Sequence, residues 1–350
     1  MKNIIGAKPS PAAAEVRFLT VDGESAGQRL DNFLFRQLKG VPKTHVYRII
    51  RSGEVRINKG RAQAETRLEE GDVLRLPPVR VSARSEEGSA PPAPAREFPL
   101  LYEDEALLAI DKPAGVAVHG GSGVSFGVIE QLRTARPAAR FLELVHRLDR
   151  ETSGILLVAK KRSALTALQD QFRERETGKT YLALVEGNWP ANKKVLDAPL
   201  AKYLLPSQPG SSEPGERRVR VVAKDHPDAM RAVTLVKVVA RVALPADAAA
   251  FSLLAVTIKT GRTHQIRVHL ASSGHAIAGD DKYGDFERNR ALQKLGLKRM
   301  FLHAWRLQFT HPASAERMAL QADLPPELHA LMPHAALEAL ATYPSASSHD

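Results

Sequence analysis

The chain has 350 residues, no cysteine and a formal net charge of +11 at pH 7. It is therefore long enough for two or more domains, it excludes disulfides and thiolate chemistry, and its charge favours a polyanionic partner. It has neither a signal peptide near its start nor an apolar run of about 18 residues, so we expect a cytoplasmic protein that does not enter a membrane.

Composition divides the chain into two predicted domains. Residues 81–97 are rich in Ser, Ala and Pro without apolar periodicity, which predicts a linker. A small domain is expected at 15–80 and a large one at 98–335. Residues 1–14 and 336–350 are predicted to be disordered tails.

The small domain carries the signals of two helices and two short strands. Apolar residues at helical spacing predict one helix that includes Leu30, Phe33, Leu34 and Leu38 and ends before Gly40. A second helix is predicted to begin at Pro42 and end before Gly53, with an apolar stripe of Val46, Ile49 and Ile50. The segments EVRINKG and DVLRLP predict strands.

Positive charge is concentrated at the start of the chain. Residues 1–80 hold 15 Lys and Arg and 9 Asp and Glu, a net charge of +6. Basic residues fall on or just after the second helix with few acids between them: Lys43, Arg48, Arg51, Arg56, Lys59 and Arg61. Such a group is either a solvated face or a set of phosphate contacts.

The small domain also resembles a known module. The segments RLDNFL, VPKTHVYRIIRSGEVRINKGR and LEEGDVLRLP, in this order between Arg29 and Pro77, are similar to the alpha-L RNA-binding motif first named from ribosomal small-subunit protein four. The resemblance implies that this domain binds structured RNA.

Two segments of the large domain place unusual residues beside apolar strands. In Leu107–Gly121, a strand runs into a Lys-Pro-Ala-Gly turn and a glycine pair, which lack the pattern of a phosphate-binding loop and predict a tight turn beside a site. In LVHRLDRETSGILLVAK, Gly154–Ala159 predicts a buried strand, and Ser163 is expected to cap a following helix. Asp149 then lies on a loop before a strand, as catalytic groups often do, although a turn or capping role explains the same position.

Two later segments add candidate side chains. In GKTYLALVEG, Tyr181 shares one face of a predicted strand with Lys179, Ala183 and Val185. After Thr260 and Gly261 end another strand, four polar side chains follow closely: Arg262, His264, Arg267 and His269.

These segments do not predict a metal site. The two histidines lack an H-E-x-x-H pattern and no cysteine can complete a ligand set. Asp280 and Asp281 could bind magnesium, but no phosphate-binding loop accompanies them.

Together the motifs of the large domain resemble one enzyme family. The RluA-type pseudouridine synthases share, in order and spacing, the elements DKPAGVAVHGG, HRLDRETSG, KTYLALVEG, TGRTHQIRVHL, GDDKYG and FLHAWRLQFTHP, so the resemblance covers nearly all of residues 98–320. It implies an α+β fold with a bent, mainly antiparallel sheet and flanking helices. It also implies a reaction that cleaves the uridine N1–C1′ bond and rejoins the base through C5, with no cofactor and no metal.

The resemblance assigns roles to individual residues. Asp149 carries over as the catalytic carboxylate, acting as nucleophile at C1′ or as base at C2′. Arg267 is the first candidate for the arginine that keeps this carboxylate ionised, and Arg262 is the second. Tyr181 carries over as the ring that stacks on the uracil, and Arg147 as the residue that fills the vacated stack. Ile266, at a position often held by Leu, is grouped with Arg147 and Arg262 at the substrate.

The remaining expectations concern neighbours, substrate and alternatives. His146 and Thr152 are expected to hold the loop, and Arg150 and Glu151 to face solvent. Within the family, the chain most resembles the group that acts on large-subunit (23S) ribosomal RNA, so we expect this RNA as partner of a monomeric enzyme; tRNA, or both RNAs, is the alternative. A non-catalytic ribosome-associated RNA-binding factor and a metal-dependent nuclease are the other function classes considered.

Overall fold

A computed structural model describes most of the chain, namely residues 15–23, 25–38, 40–79, 93–121, 124–205, 216–244 and 249–344. Its internal contacts divide the chain into two units, Met1–Pro92 and Ala93–Asp350. The predicted tail 1–14 and most of the predicted linker, residues 81–92, lie outside the described residues.

The first unit combines two helices with a small antiparallel sheet. Its elements are β1 (Arg17–Thr20), α1 (Leu30–Gln37), α2 (Lys43–Arg51), β2 (Arg56–Ile57), β3 (Gly60–Arg61) and β4 (Val73–Leu76). The strands lie in the order β1-β4-β2-β3. Apolar residues three and four apart on each helix, such as Val46, Ile49 and Ile50 on α2, are buried against the sheet residues Leu74 and Leu76. The two predicted helices are confirmed, although Leu38 lies just after α1 and Pro42 just before α2. The two predicted strands correspond to β2 and β4, and β1 was not predicted.

The second unit is built on one large mixed sheet. Its strands are β5 (Leu100–Glu103), β6 (Leu107–Lys112), β7 (Glu143–Leu144), β8 (Ser153–Ala159), β9 (Gly178–Glu186), β10 (Val195–Asp197), β11 (Leu200–Leu204), β12 (Arg217–Val221), β13 (Val233–Ala243), β14 (Ala250–Ile258), β15 (Leu302–Thr310) and β16 (Arg317–Gln321). Ten of them form the sheet β10-β13-β14-β9-β15-β8-β6-β5, with β16 beside β15 and β7 beside β8, while β11 and β12 pair separately. All these pairs are antiparallel except β8 with β15, which confirms the α+β class and the mainly antiparallel sheet.

Helices cover this sheet. They are α3 (Val128–Ala135), α4 (Arg162–Glu174), α5 (Gln265–Ala271), α6 (Phe286–Lys294), α7 (Pro326–His329) and α8 (His334–Ala341). α4 packs on β8 and β15, and α5 and α8 pack on β13. None of the helices in the described ranges combines the length and apolarity needed to cross a membrane.

The parallel contact between β8 and β15 requires a glycine. Gly154 has a φ of +108°, and a Cβ atom there would lie 2.3 Å from the carbonyl oxygen of Ala304. Ala304 is also opposite Tyr181 on β9. The strand that follows the Asp149 loop and the strand that carries Tyr181 therefore both lie against β15.

Three predicted boundaries are wrong. The second unit begins before residue 98, because Glu97 accepts hydrogen bonds from Arg136 and residues 93–97 belong to that unit. α4 begins at Arg162 after Lys161, so Ser163 lies inside the helix and does not cap it. Residues 336–344 are not a tail, since α8 buries Ala336 and packs Leu337, Leu340 and Tyr343 on the core; residues 345–350 lie outside the described residues.

Candidate active site

A cavity of about 710 Å³ opens beside the loop that precedes β8. A smaller one of about 100 Å³ adjoins it, and both are lined by Arg147, Asp149, Tyr181 and Arg262. Ile266 and Arg267, from the first turn of α5, complete the smaller cavity. The larger volume falls within the range of roughly 300–1,000 Å³ that is usual for small-molecule pockets. The fold therefore brings the six predicted catalytic and substrate residues around these two adjoining cavities.

Asp149 carries the carboxylate at the centre of this group. Its side chain is 31% exposed, and its Oδ2 atom lies 3.9 Å from Nη1 of Arg267 and 3.9 Å from Nε2 of His264. The backbone carbonyl of Asp149 accepts a hydrogen bond from the N–H of Thr152, which closes the turn. The carboxylate is thus held near a positive charge while its oxygens remain accessible from the cavity.

Arg267 is held rigidly from the other side. Its Nε and Nη2 atoms donate to Asp280 at 2.7 and 2.6 Å, and its guanidinium lies 5.2 Å from the ring centre of Tyr283. Burial opposes the charge of Arg267, but the hydrogen bonds to Asp280 and its negative charge outweigh burial and raise the pKa of the guanidinium. Of the two predicted arginines, Arg267 is the one that faces Asp149, whereas the exposed Arg262 donates to the carbonyl of Arg231.

Tyr181 lies on β9 and lines both cavities. Burial, with the nearby charge of Asp149, raises the pKa of its phenol well above the ordinary value. The hydroxyl of Tyr181 therefore stays protonated at neutral pH, and its ring packs in the same apolar cluster as Ile266.

Lys112 holds the Asp149 loop in place, although it was not singled out from the sequence. Its side chain is fully buried, and Nζ donates to the carbonyl oxygens of Pro113, Val116 and Arg150 at 2.8, 2.9 and 3.1 Å. Burial lowers the pKa of Lys112 to about 7. The Lys-Pro-Ala-Gly turn is thus joined to the Asp149 loop through the side chain of Lys112. The sequence signal that could have identified Lys112 was its place at the start of this motif.

Two histidines have different positions around the loop. His146 stacks on Phe172 with ring centres 4.7 Å apart and accepts a hydrogen bond from the backbone of Leu157, and burial lowers its pKa to about 4. It therefore supports the loop as a neutral ring. His264 has a φ of +52°, contacts the Tyr283 hydroxyl at 2.8 Å and faces Asp149. Sequence reasoning considered His264 only as a metal ligand and missed this contact.

The exposed charges of the loop are also separated. Arg150 and Glu151 form an ion pair at 2.7 Å, in which Arg150 is 58% exposed. Arg147 is exposed and lines the cavity. Arg147 is therefore the loop arginine that a bound molecule in the cavity would contact.

Comparison with known proteins identifies the family of the chain. The family described as RNA pseudouridylate synthase matches residues 106–272, and the S4 domain matches residues 28–74. Ribosomal large subunit pseudouridine synthase C of Escherichia coli (strain K12) is 52% identical over 314 residues, 88% of this chain and 93% of that protein. The protein of the same name from Pasteurella multocida is 50% identical over 323 residues, 91% of this chain and 93% of that protein. The chain belongs to the RNA pseudouridylate synthase family.

Solved structures agree with this assignment. The structure of Human RNA Pseudouridylate Synthase Domain Containing 1 aligns with 74% of this chain and with 100% of the human chain, with a TM-score of 0.53 and 25% sequence identity. The structure of Human RNA Pseudouridylate Synthase Domain Containing 4 aligns with 67% of this chain and 92% of the human chain, with a TM-score of 0.51 and 27% sequence identity. The protein is therefore an isomerase with an S4 domain ahead of its catalytic domain.

The predicted RNA contacts of the S4 domain are accessible. Arg56 is half-buried and donates to the carbonyl of Lys59, and the other members of the set are exposed. Lys43 lies over the ring of Phe35, and Arg48 contacts His45. None of the six forms an ion pair with another described residue, so their charges remain available for phosphates.

The two acids considered for magnesium have other partners in the pseudouridine synthase. Asp280 is fully buried against Arg267, and Asp281 lies 3.3 Å from the same guanidinium. In the parts of the chain that the structure describes, no three His, Asp or Glu side chains are grouped to hold a metal ion.

Proposed function

We propose that this pseudouridine synthase modifies uridines of large-subunit ribosomal RNA in the cytoplasm. The names of the relatives that are 50–52% identical along about nine tenths of the chain support this substrate. The S4 domain and the net charge of +11 support a large, structured RNA. We also propose that the enzyme acts as a monomer, because the mechanism below uses residues of one chain only.

The carboxylate of Asp149 acts on the ribose of the flipped uridine. The observation that carries this proposal is its position in the cavity, 3.9 Å from a buried arginine that Asp280 fixes in place. Arg267 favours the ionised carboxylate, which is the form needed to attack C1′ or to remove the proton from C2′. The second route breaks a C2′–H bond and the first does not, so a deuterium isotope effect at C2′ distinguishes them.

Tyr181 stacks on the uracil and donates from its neutral hydroxyl. Because burial keeps the phenol protonated, Tyr181 cannot supply a free phenolate to the C5 proton at neutral pH. It takes part in that proton's removal only by relaying its own proton to an acceptor. Arg147 fills the space that the flipped base leaves, which offsets an unstacking cost of order a few kcal/mol. Arg262 and Ile266 form the wall of the cavity around the base.

The reaction is an isomerisation and changes no oxidation state overall. The N1–C1′ bond breaks, a C5–C1′ bond forms, and the proton lost from C5 is balanced by the one gained at N1. The chain's own carboxylate, arginine and phenol are sufficient for these steps, so we propose catalysis without a cofactor.

Replacement of one carboxylate tests the proposal. Asp149→Asn keeps the shape of the side chain and removes its charge, so pseudouridine formation should fall to background while RNA affinity persists. Glu151→Gln, on the same loop and paired with Arg150, is the matched control and should retain activity. Turnover by Asp149→Asn well above background would refute the assignment. Mapping pseudouridines in ribosomal RNA from cells with and without the protein tests the substrate.

A further inference from the structure

A second groove lies beside the catalytic cavity in the same unit. It has a volume of about 780 Å³ and is lined by residues of β9, β10, β13, β14 and the end of the described chain. Its apolar part includes Val236, Ala255 and Trp189, and the side chain of Val195 is 56% exposed at its edge. The groove therefore has a buried apolar floor, and Val195 at its edge is an exposed apolar side chain that a bound molecule could contact.

The charged residues around the groove have one sign. Seven Lys and Arg side chains line it, against one acid, Glu176, among the described lining residues. Arg306 is stacked on Trp305 and Arg317 donates to the carbonyl of Glu176, so these two serve the fold. The others form no ion pair with a described residue: Arg175, Lys193, Lys194, Lys237 and Lys259. Lys193 and Lys237 also lie over the rings of Trp189 and Tyr343. The charge of the groove is therefore complementary to a polyanion.

The groove is continuous with the catalytic cavity. Arg175, Ile258 and Lys259 line both spaces. Side chains alternate along a strand, so Thr180, which lines the groove, points away from the face of Tyr181. A bound polymer that leaves the cavity past Arg175 and Lys259 thus passes around the ends of β9 and β14 and enters the groove.

We propose that this groove binds the strand of the substrate RNA that flanks the target uridine. The inference rests on the proposed function and extends it from the flipped base to its neighbours. The five cations that form no ion pair with a described residue neutralise successive phosphates, and the exposed Val195 contacts a ribose or base face. The segment held there fixes the target nucleotide over the cavity and adds affinity far from the reacting atoms.

A charge-reversal variant tests the proposal on the full chain. Lys194→Glu with Lys237→Glu, both outside the catalytic cavity, should raise KM for long ribosomal RNA fragments about tenfold and leave kcat unchanged. For a short RNA hairpin that occupies the catalytic cavity but does not reach the groove, KM should change much less. Lys294→Glu with Lys298→Glu is the matched control, because it makes the same charge change at exposed positions outside both spaces.

The outcomes separate this inference from the proposed function. If the groove variant and the control have equal KM values on the long RNA, the groove does not bind the substrate, whereas wild-type activity on that RNA still supports the function. If the long and short RNAs lose affinity equally, the groove acts only through general charge and the inference fails.

A photo-crosslink identifies the occupant directly. p-Benzoylphenylalanine in place of Val195 should crosslink to bound ribosomal RNA, and the same probe in place of Phe286, which is 75% exposed on α6, should not. A crosslink from position 195 only to residues 345–350 of the chain, or to a second copy, would overturn the proposal.

Discussion

Arg267 contacts Asp280 and Asp149 in two different ways, and this difference is testable at the scale of single residues. Asp280 accepts two short hydrogen bonds from it, whereas Asp149 only faces it at 3.9 Å. Asp280 is thus a positioning residue, which directs the remaining nitrogen of the guanidinium toward the catalytic carboxylate.

Asp280→Asn should reduce kcat about 100-fold with little change in KM. The substitution frees Arg267 to turn toward Asp149, and a displacement of about 1 Å at a site can cost that much. Because a buried charge loses its partner, we also expect a loss of stability of about 3–5 kcal/mol. Kinetics on the folded variant below its melting temperature measure the first effect. Glu287→Gln, at an exposed carboxylate on α6 outside both cavities, is the control, and equal kcat values for the two variants would contradict the role.

Substitutions of Arg147 and Tyr181 should differ in how much their effect depends on the structure of the RNA. Arg147→Ala should lose most activity on a folded hairpin, where unstacking must be offset, and less on an unstructured oligonucleotide. Tyr181→Phe keeps the ring, so it should bind RNA almost normally and fail mainly in proton transfer on both substrates. The measurement is the ratio of the two activities for each variant. An equal loss on both RNAs for Arg147→Ala would mean that this residue only organises the Asp149 loop.

At the scale of secondary-structure elements, the contact between β8 and β15 depends on Gly154. Gly154→Ala introduces a Cβ atom 2.3 Å from the carbonyl oxygen of Ala304 at a φ of +108°, so we expect a loss of about 2–5 kcal/mol and reduced activity. Gly261→Ala, which has open space around its Cβ position, should be nearly neutral for stability. Chemical denaturation of both variants measures the loss of stability. Equal denaturation midpoints would show that β8 and β15 accommodate the added Cβ atom without loss of stability.

The same pair of strands contains a histidine that makes folding depend on pH. Burial lowers the pKa of His303 to about 4 from 6.5, and its ring lies between Ser153 and the carbonyl of Ala322. As pH falls from 6.5 toward 4, the unfolded chain binds a proton that the native state does not, so stability is lost over this range by up to roughly 1.4 kcal/mol per pH unit. His303→Gln should flatten this slope in denaturation at several pH values. An unchanged slope would assign the proton uptake elsewhere, for example to His146.

Which elements could be predicted follows from how local their causes are. α2 was predictable because its apolar stripe and its final Gly53 lie within a few residues of each other. The segment 336–344 was predicted as a tail because its burial depends on distant partners, such as Trp305, whose ring contacts that of Tyr343. For the same reason the role of Lys112 was not predicted, since its burial depends on the carbonyl of Arg150, which is distant in sequence. The pairing of Arg267 with Asp280 was not predicted either. The motifs indicated which residues meet, but not which of them hold the others.

At the scale of the whole molecule, the S4 domain should supply affinity that the catalytic domain lacks. A fragment from residue 93 should fold, as shown by circular dichroism, but bind ribosomal RNA more weakly and with a shallower salt dependence. For every phosphate that the fragment no longer neutralises, the slope of log K against log salt should fall by roughly 0.7–0.9. Equal affinity and equal slope for the fragment and the full chain would remove the RNA-binding role from the first unit.

The parallel pairing of β8 with β15 also bears on when the enzyme becomes active during its own synthesis. Ser153 and His303 are 150 residues apart in the chain, yet they are in contact at the base of the catalytic loop. Contacts of such long sequence separation form late, and domains that precede them fold first as the chain emerges from the ribosome. We therefore expect the S4 domain to engage RNA co-translationally, while Asp149 stays unpositioned until β15 has been made. A nascent chain could then be bound to its substrate RNA before it is able to modify it.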